Sequence, residues 1–172
     1  MNLIKYIRDI PDFPKKGIVF KDITPLLLNG VAYKYLIEQF YNRYRKKNID
    51  IVVGIEARGF ILGSSLATRL GCGFVPIRKK DKLPYSVHQK TYSLEYGTDT
   101  IEIHKDAIKH NNNVLIVDDV LATGGTVKAA IDLVNISSCN LIECCFMIEL
   151  KFLNGLKKIK EENVEHFSLL QF

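Results

Sequence analysis

Four cysteines in 172 residues, with no Cys-x-x-Cys pairing beside histidines, leave neither a zinc site nor a disulfide framework to read. Cys139, Cys144 and Cys145 fall in or beside an apolar run, where a thiol behaves as a small hydrophobe; Cys72 stands apart. No apolar stretch approaches a membrane span. The N-terminal MNLIKYIRDIPDF carries acids too early for a signal peptide, so a cytoplasmic location away from membranes is expected. Repeats, low-complexity tracts and linkers are lacking, and the length suits one domain, 1–172, with a substantial core. Arginine is scarce, with six, so Arg58 and Arg78 stand out beside glycine and strand-end motifs. The net charge of +5 would suit an anionic substrate or a weak nucleic-acid surface. Most of the excess is lysine scattered over predicted helix faces and the Lys157-Lys158-Ile159-Lys160 run, which reads as a solvated face rather than a nucleic-acid stripe.

What is present alternates between strand and helix patterns. Helical spacing is expected over Asn2–Arg8, over about Val31–Lys47 and over Gly59–Leu70. Strands are expected at Ile51–Ile55, Gly73–Ile77, Thr100–His104, Val114–Val117, Leu141–Ile148 and Val164–Leu170. Pro11–Phe20, broken by two prolines and a glycine, reads as an irregular loop, and the long, charged Lys79–Asp99 stretch as a mobile flap. Interleaved strands and helices imply an α/β fold, a mostly parallel central sheet flanked by helices, with ligands at the strand C-ends.

The most informative stretch is VLIVDDVLATGGT, Val114–Thr126. An apolar strand ends in adjacent carboxylates, Asp118 and Asp119, followed by a small-residue loop and an amphipathic helix (Val127, Ala130, Ile131, Val134). Free backbone N–H groups at such a turn and helix start converge on an anion. Gly124-Gly125-Thr126 lacks the lysine of a Walker loop, and the dinucleotide-binding glycine spacing is absent. Two acids beside a phosphate would repel it unless they face something else. Vicinal ribose hydroxyls can donate to them while the loop amides hold a phosphate one sugar-length away. The residues thus suggest a ribose 5-phosphate cradle; the blander reading is a strand end with solvated acids and a helix cap.

This string closely resembles the phosphoribosyl pyrophosphate (PRPP) motif of the type I phosphoribosyltransferases. Asp12–Leu27, Gly54–Gly63, Lys82–Ile108 and Phe146–Gly155 resemble the adenine-using branch of that family, in the family order and over nearly the full chain. The resemblance implies the type I fold with an N-terminal base-binding hood and a mobile flap. It also implies the reaction of adenine with PRPP to give AMP and pyrophosphate, a purine salvage step, in a homodimer with Gly54–Leu70 near the interface. Mg²⁺ would be carried by PRPP, with no metal ligand supplied directly by the protein.

By resemblance, Asp118, Asp119, Ala122, Thr123, Gly124, Gly125 and Thr126 bind PRPP. Glu56, Ala57, Arg58, Arg78 and Lys79 hold the pyrophosphate, with Arg58 offering a planar donor fork, and a cis peptide is implied near Glu56-Ala57. Phe20 and Val120 cover the two faces of adenine, and backbone groups of Val19 and Lys21 meet its edge. Lys82 and Tyr96 belong to the flap, and Glu95 is the candidate for proton exchange with the purine. The small residues Gly63, Ser64 and Ala67 fit close helix packing at the dimer contact. The chain departs from the family pattern at Asp81 (often glycine), Val87 (often threonine), Phe152 (often proline) and Leu156 (often arginine). The first two bear on the flap, the last two on packing or the dimer. Two other functions stay open: a transferase for xanthine or guanine, and a nucleotide-sensing regulator that keeps the cradle but binds nucleic acid.

Overall fold

The structure, a computed structural model, describes residues 1–93 and 97–172. The chain divides into two compact units, Met1–Arg43 and Tyr44–Phe172.

In the first unit, a 3-10 turn at Leu3–Tyr6 is capped by the Asn2 side chain, which accepts the Ile4 N–H at 3.0 Å. The helix expected over Asn2–Arg8 stops there because Arg8 already belongs to a strand. β1 (Arg8–Pro11) pairs antiparallel with β2 (Val19–Asp22). The expected irregular loop is therefore only the connection between them, with Pro11 tolerated at the end of an edge strand. α1 (Thr24–Leu28) carries a proline in its first turn, where no N–H is needed. The Asn29 side chain then accepts the Ala32 N–H at 2.9 Å, capping α2 (Gly30–Tyr44).

The second unit is built on a seven-stranded sheet ordered β5-β6-β4-β3-β7-β8-β9. Its strands are β3 (Ile51–Ile55), β4 (Gly73–Lys79), β5 (Val87–Ser93), β6 (Thr98–His104), β7 (Asn113–Leu121), β8 (Asn140–Glu149) and β9 (His166–Gln171). The pairs β3–β4, β3–β7, β7–β8 and β8–β9 are parallel; β4–β6 and β5–β6 are antiparallel. The helices are α3 (Arg58–Leu70), α4 (Gly125–Asn135) and α5 (Leu156–Glu161). Val53, Ile116, Val127, Ala130, Ile131, Val134, Phe146 and Ile159 belong to one buried cluster. Fully buried strands of this kind read as continuous apolar runs, as β3, β7 and β8 do.

Two expectations change here. Residues read as flap include a full strand, β5, which forms a hairpin with β6. That hairpin joins the parallel sheet through only two register pairs, Arg78↔Glu102 and Lys79↔Ile101. The Lys157–Lys160 run, read as a solvated face, lies in α5, whose Ile159 is completely buried.

The topology makes one crevice. β3 lies between β4, which follows it through α3, and β7, which returns on its other side. The loops leaving β3 and β7 therefore diverge at a topological switch point, where α/β sheets bind ligands.

Candidate functional site

Pairing of β7 with β3 ends at Gly54↔Val117, but pairing with β8 continues to Leu121↔Glu149. Asp118 and Asp119 therefore lie inside a strand, not at its end as expected. They sit just where the strand loses β3 and opens onto the crevice, and the β8 ladder keeps their backbone extended. Asp119 is 4% exposed and Asp118 intermediate. Burial, and then repulsion by Asp119, pushes the Asp118 carboxyl well above the usual range. Burial raises Asp119 as well, opposed by the Arg58 guanidinium. The Asp119 N–H donates to Asp118 Oδ1 at 2.8 Å, and Arg58 Nε meets Asp119 Oδ2 at 2.8 Å.

Arg58 opens α3 directly after the Glu56-Ala57 peptide, which is cis. Gly59 allows the close approach of this loop to the acids. A Cβ there would lie 2.8 Å from the Val117 carbonyl oxygen and 2.9 Å from Asp118 Oδ1. Glu56 faces the other way. Its carboxylate meets Arg78 Nε and Nη2 at 3.3 and 3.4 Å and accepts the Lys79 N–H at 2.8 Å. Burial acts to raise the Glu56 carboxyl, but the Lys79 N–H and the Arg78 charge hold it below its ordinary value. Arg78 also donates to the Lys82 carbonyl at 3.1 Å, tying the start of the hairpin segment to this loop. Lys79 Nζ pairs with Asp99 at 3.2 Å.

Beyond the acids, Ala122 to Thr126 form the expected loop, and α4 begins at Gly125. Gly124 has φ 77°, the left-handed region, and a Cβ on it would collide with the Gly155 carbonyl oxygen. A Cβ on Gly155 would in turn strike the Ala122 carbonyl oxygen and lie 2.8 Å from Gly124 N. The loop thus rests backbone to backbone on Gly155, a residue that nothing in its own type or spacing marks as part of the site. The hairpin meets the same loop: the Thr126 hydroxyl donates to Tyr92 OH at 3.3 Å. A small cavity of about 70 Å³ is lined by Asp118, Val120, the loop from Ala122 to Thr126, and Phe146. Among the described residues, no group of three or more His, Cys, Asp or Glu is placed to hold a metal ion.

In the first unit, Val19 is exposed, Phe20 is half-buried with its ring edge-on to Phe13 (5.3 Å between centroids), and Lys21 Nζ pairs with Asp9 at 2.7 Å. Glu95 and Tyr96 lie outside the described residues. Two of the three small residues expected at a helix contact between subunits are taken up inside the chain. Ala67 is buried, and a Cβ on Gly63 would lie 3.0 Å from the Phe74 ring, so these two serve packing of α3 on its own sheet, while the half-buried Ser64 donates to the Phe60 carbonyl within the helix. Of the unusual residues, Leu156 packs against the core, Phe152 is exposed, and Asp81 occupies a left-handed turn at φ 63°.

A mostly parallel sheet with an acid pair and a glycine-floored loop on one side of its switch point, and a basic loop on the other, is the arrangement expected of a phosphoribosyl-binding domain. Residues 27–167 match the phosphoribosyl transferase domain family. The chain is 58% identical over 166 residues, 96% of each chain, to the adenine phosphoribosyltransferase of Geotalea daltonii. Its structure is similar to that of adenine phosphoribosyltransferase from Thermoanaerobacter pseudethanolicus (48% identity, TM-score 0.94, covering 99% and 98% of the two chains). It is also similar to the Saccharomyces cerevisiae enzyme complexed with an imino-altritol bisphosphate and adenine (43%, TM-score 0.92, 98% and 96%). The chain belongs to the phosphoribosyltransferase family, in its adenine phosphoribosyltransferase branch.

Proposed function

We propose that this chain transfers the 5-phosphoribosyl group of PRPP to adenine, releasing pyrophosphate and forming AMP. One observation carries the reading: the acid strand and the basic loop meet at the switch point, with Gly59 against Asp118 and Arg58 on Asp119. Similarity to the adenine-using relatives supports adenine as the base.

The roles follow from the chemistry of each segment. Backbone N–H groups from Ala122 to Thr126 hold the 5-phosphate, and the carboxylates of Asp118 and Asp119 accept from the ribose hydroxyls. Glu56, Ala57, Arg58, Arg78 and Lys79 surround the pyrophosphate. Arg58 must leave Asp119 to reach it, so binding of PRPP exchanges an internal ion pair for one with substrate. The C1–oxygen bond to pyrophosphate breaks, the bond from C1 to adenine N9 forms, and the N9 proton departs, with Glu95 its acceptor directly or through the imidazole ring. The family resemblance assigns contacts with adenine to Val19, Phe20, Lys21 and Val120, and assigns Lys82 and Tyr96 to the flap. The substrate diphosphate suits Mg²⁺, a hard cation that prefers phosphate oxygens, so the ion would be held by PRPP and not by protein side chains. Carried in with PRPP, Mg²⁺ would supply positive charge to offset that of the departing pyrophosphate. A cytoplasmic homodimer is part of the same proposal, supported by the family resemblance alone.

The test is PRPP-dependent pyrophosphate release with adenine, hypoxanthine, guanine and xanthine in turn. Adenine should exceed each of the others by about a thousandfold or more in kcat/KM, because a site built for an amino group leaves buried groups unpaired against a carbonyl. Preference for an oxopurine would overturn adenine. Salt-sensitive nucleic-acid binding without turnover would instead favour a regulator.

A further inference from the structure

We propose that Lys158 completes the 5-phosphate site, giving a phosphate loop otherwise built from backbone amides a side-chain cation. The proposal rests on the PRPP reading of that loop. Its observations are the placement of α5, the partners of the neighbouring lysines, and the distance from Lys158 to the loop.

α5 starts directly after Gly155, whose backbone lies against Ala122 and Gly124. Leu156 and Ile159 turn into the core and Lys157 and Lys160 are exposed. Lys158 takes the remaining face, half-buried, and points back at the start of α4: a Cβ on Gly125 would lie 3.7 Å from Lys158 Nζ. Both residues line a cavity of about 480 Å³ between β5 and α4, together with Lys90, Tyr92, Lys128 and Asp132. The other lysines there are engaged. Lys90 pairs with Asp132 at 2.8 Å, and Lys128 pairs with Asp132 at 3.8 Å and with Glu162. Among the described residues Lys158 makes no such ion pair. Its charge is therefore presented to the loop without a carboxylate of the described residues to neutralise it. The backbone contact at Gly155 sets its distance.

A cation so placed acts on the phosphate dianion and not on the sugar or base. It should separate phosphorylated from unphosphorylated ligands, and PRPP affinity from turnover. The experiment compares Lys158→Met, which keeps the aliphatic stem, and Lys158→Gln with the unmodified protein. The ligands are AMP, adenosine and ribose 5-phosphate, measured by calorimetry. Lys157→Gln, an exposed neighbour on the same helix, controls for net charge. AMP and ribose 5-phosphate should bind about tenfold more weakly to both Lys158 variants. Adenosine should be unchanged, KM for PRPP raised, and kcat within about twofold; Lys158→Arg should recover part of the loss.

Equal losses for AMP and adenosine would make Lys158 a packing residue and overturn the proposal. So would equal effects of the Lys157 and Lys158 changes, or no effect at all. Unmodified protein that does not prefer AMP over adenosine would undo the phosphate loop itself. Retained preference in the Lys158 variants undoes only Lys158.

Discussion

The two loops that face each other at the switch point solve opposite problems. The loop after β3 works through side chains, and each described charge in it is already engaged: Glu56 with Arg78 and the Lys79 N–H, Arg58 with Asp119. The loop after β7 works through its backbone, and its requirement is space: Gly124 and Gly155 touch where no side chain fits. On the proposed reading, with the first loop holding pyrophosphate and the second the 5-phosphate, pyrophosphate must leave in every cycle, so ligands that can return to internal partners suit it. The 5-phosphate stays attached throughout, and a rigid backbone cradle suits that. The first loop should therefore respond to charge and the second to volume.

The largest effect should come from one added methyl. Gly155→Ala pushes a Cβ into the Ala122 carbonyl oxygen, and backbone is what would have to move. We expect turnover to fall at least a thousandfold and stability by about 2–4 kcal/mol, read by steady-state kinetics and urea unfolding. Near-normal kcat/KM in a stable Gly155→Ala protein would end the contrast, since the loop would then tolerate volume.

The matching change in the other loop is Arg58→Gln, which removes a charge with little change in volume. It should lower kcat by about ten- to a hundredfold and leave the melting temperature within a few degrees, because the Arg58 side chain is partly exposed. A collapse in stability instead of turnover would recast Arg58 as a structural clamp on Asp119.

The acid pair sharpens the comparison through pH. The Asp118 carboxyl is raised by burial and by Asp119, so the folded chain binds a proton there more tightly than the unfolded one. Stability is therefore fullest below the ordinary aspartate range and declines as pH rises through the raised value. Asp118→Asn removes that decline while keeping an acceptor for the Asp119 N–H. It should unfold a few degrees higher than the unmodified protein at pH 8 and show no advantage near pH 3.5, by thermal scans at both pH values. PRPP binding should weaken nonetheless. Such a gain in stability with a loss of binding would mark the pair as held for substrate rather than for the fold. Equal melting curves across the range would refute it.

Most of the sheet was legible because β3, β7 and β8 are buried on both faces and read as apolar runs, and α2, α3 and α4 keep their helical spacing. β5 was not, since VHQKTYS has no buried position and so no alternation to read. α5 shows a single fully buried side chain, Ile159, among lysines. The acids, the glycine loop and the basic loop were legible by residue type and resemblance. The ion pair between Arg58 and Asp119, the floor made by Gly155 and the approach of Lys158 were not, because each depends on segments far apart in the chain meeting in space.

The smallest predicted effect tests whether left-handed backbone or a crowding neighbour makes a glycine indispensable. Gly124 and Asp81 both have positive φ, 77° and 63°, yet only one is glycine. Gly124 is pressed against Gly155; Asp81 is exposed, and its N–H donates to Glu102 at 3.1 Å. Aspartate tolerates this region better than most residues, so its backbone penalty is about 1 kcal/mol or less. Asp81→Gly removes that penalty but gives the unfolded chain more freedom, and the two nearly cancel. Stability should shift by less than about 1 kcal/mol, and kcat/KM for PRPP by less than about threefold. Gly124→Ala, by contrast, should behave like Gly155→Ala, since the same pair of backbones would be forced apart. If Gly124→Ala proved as mild as Asp81→Gly, backbone conformation alone would account for both positions. The contact with Gly155 would then have no part in shaping the loop.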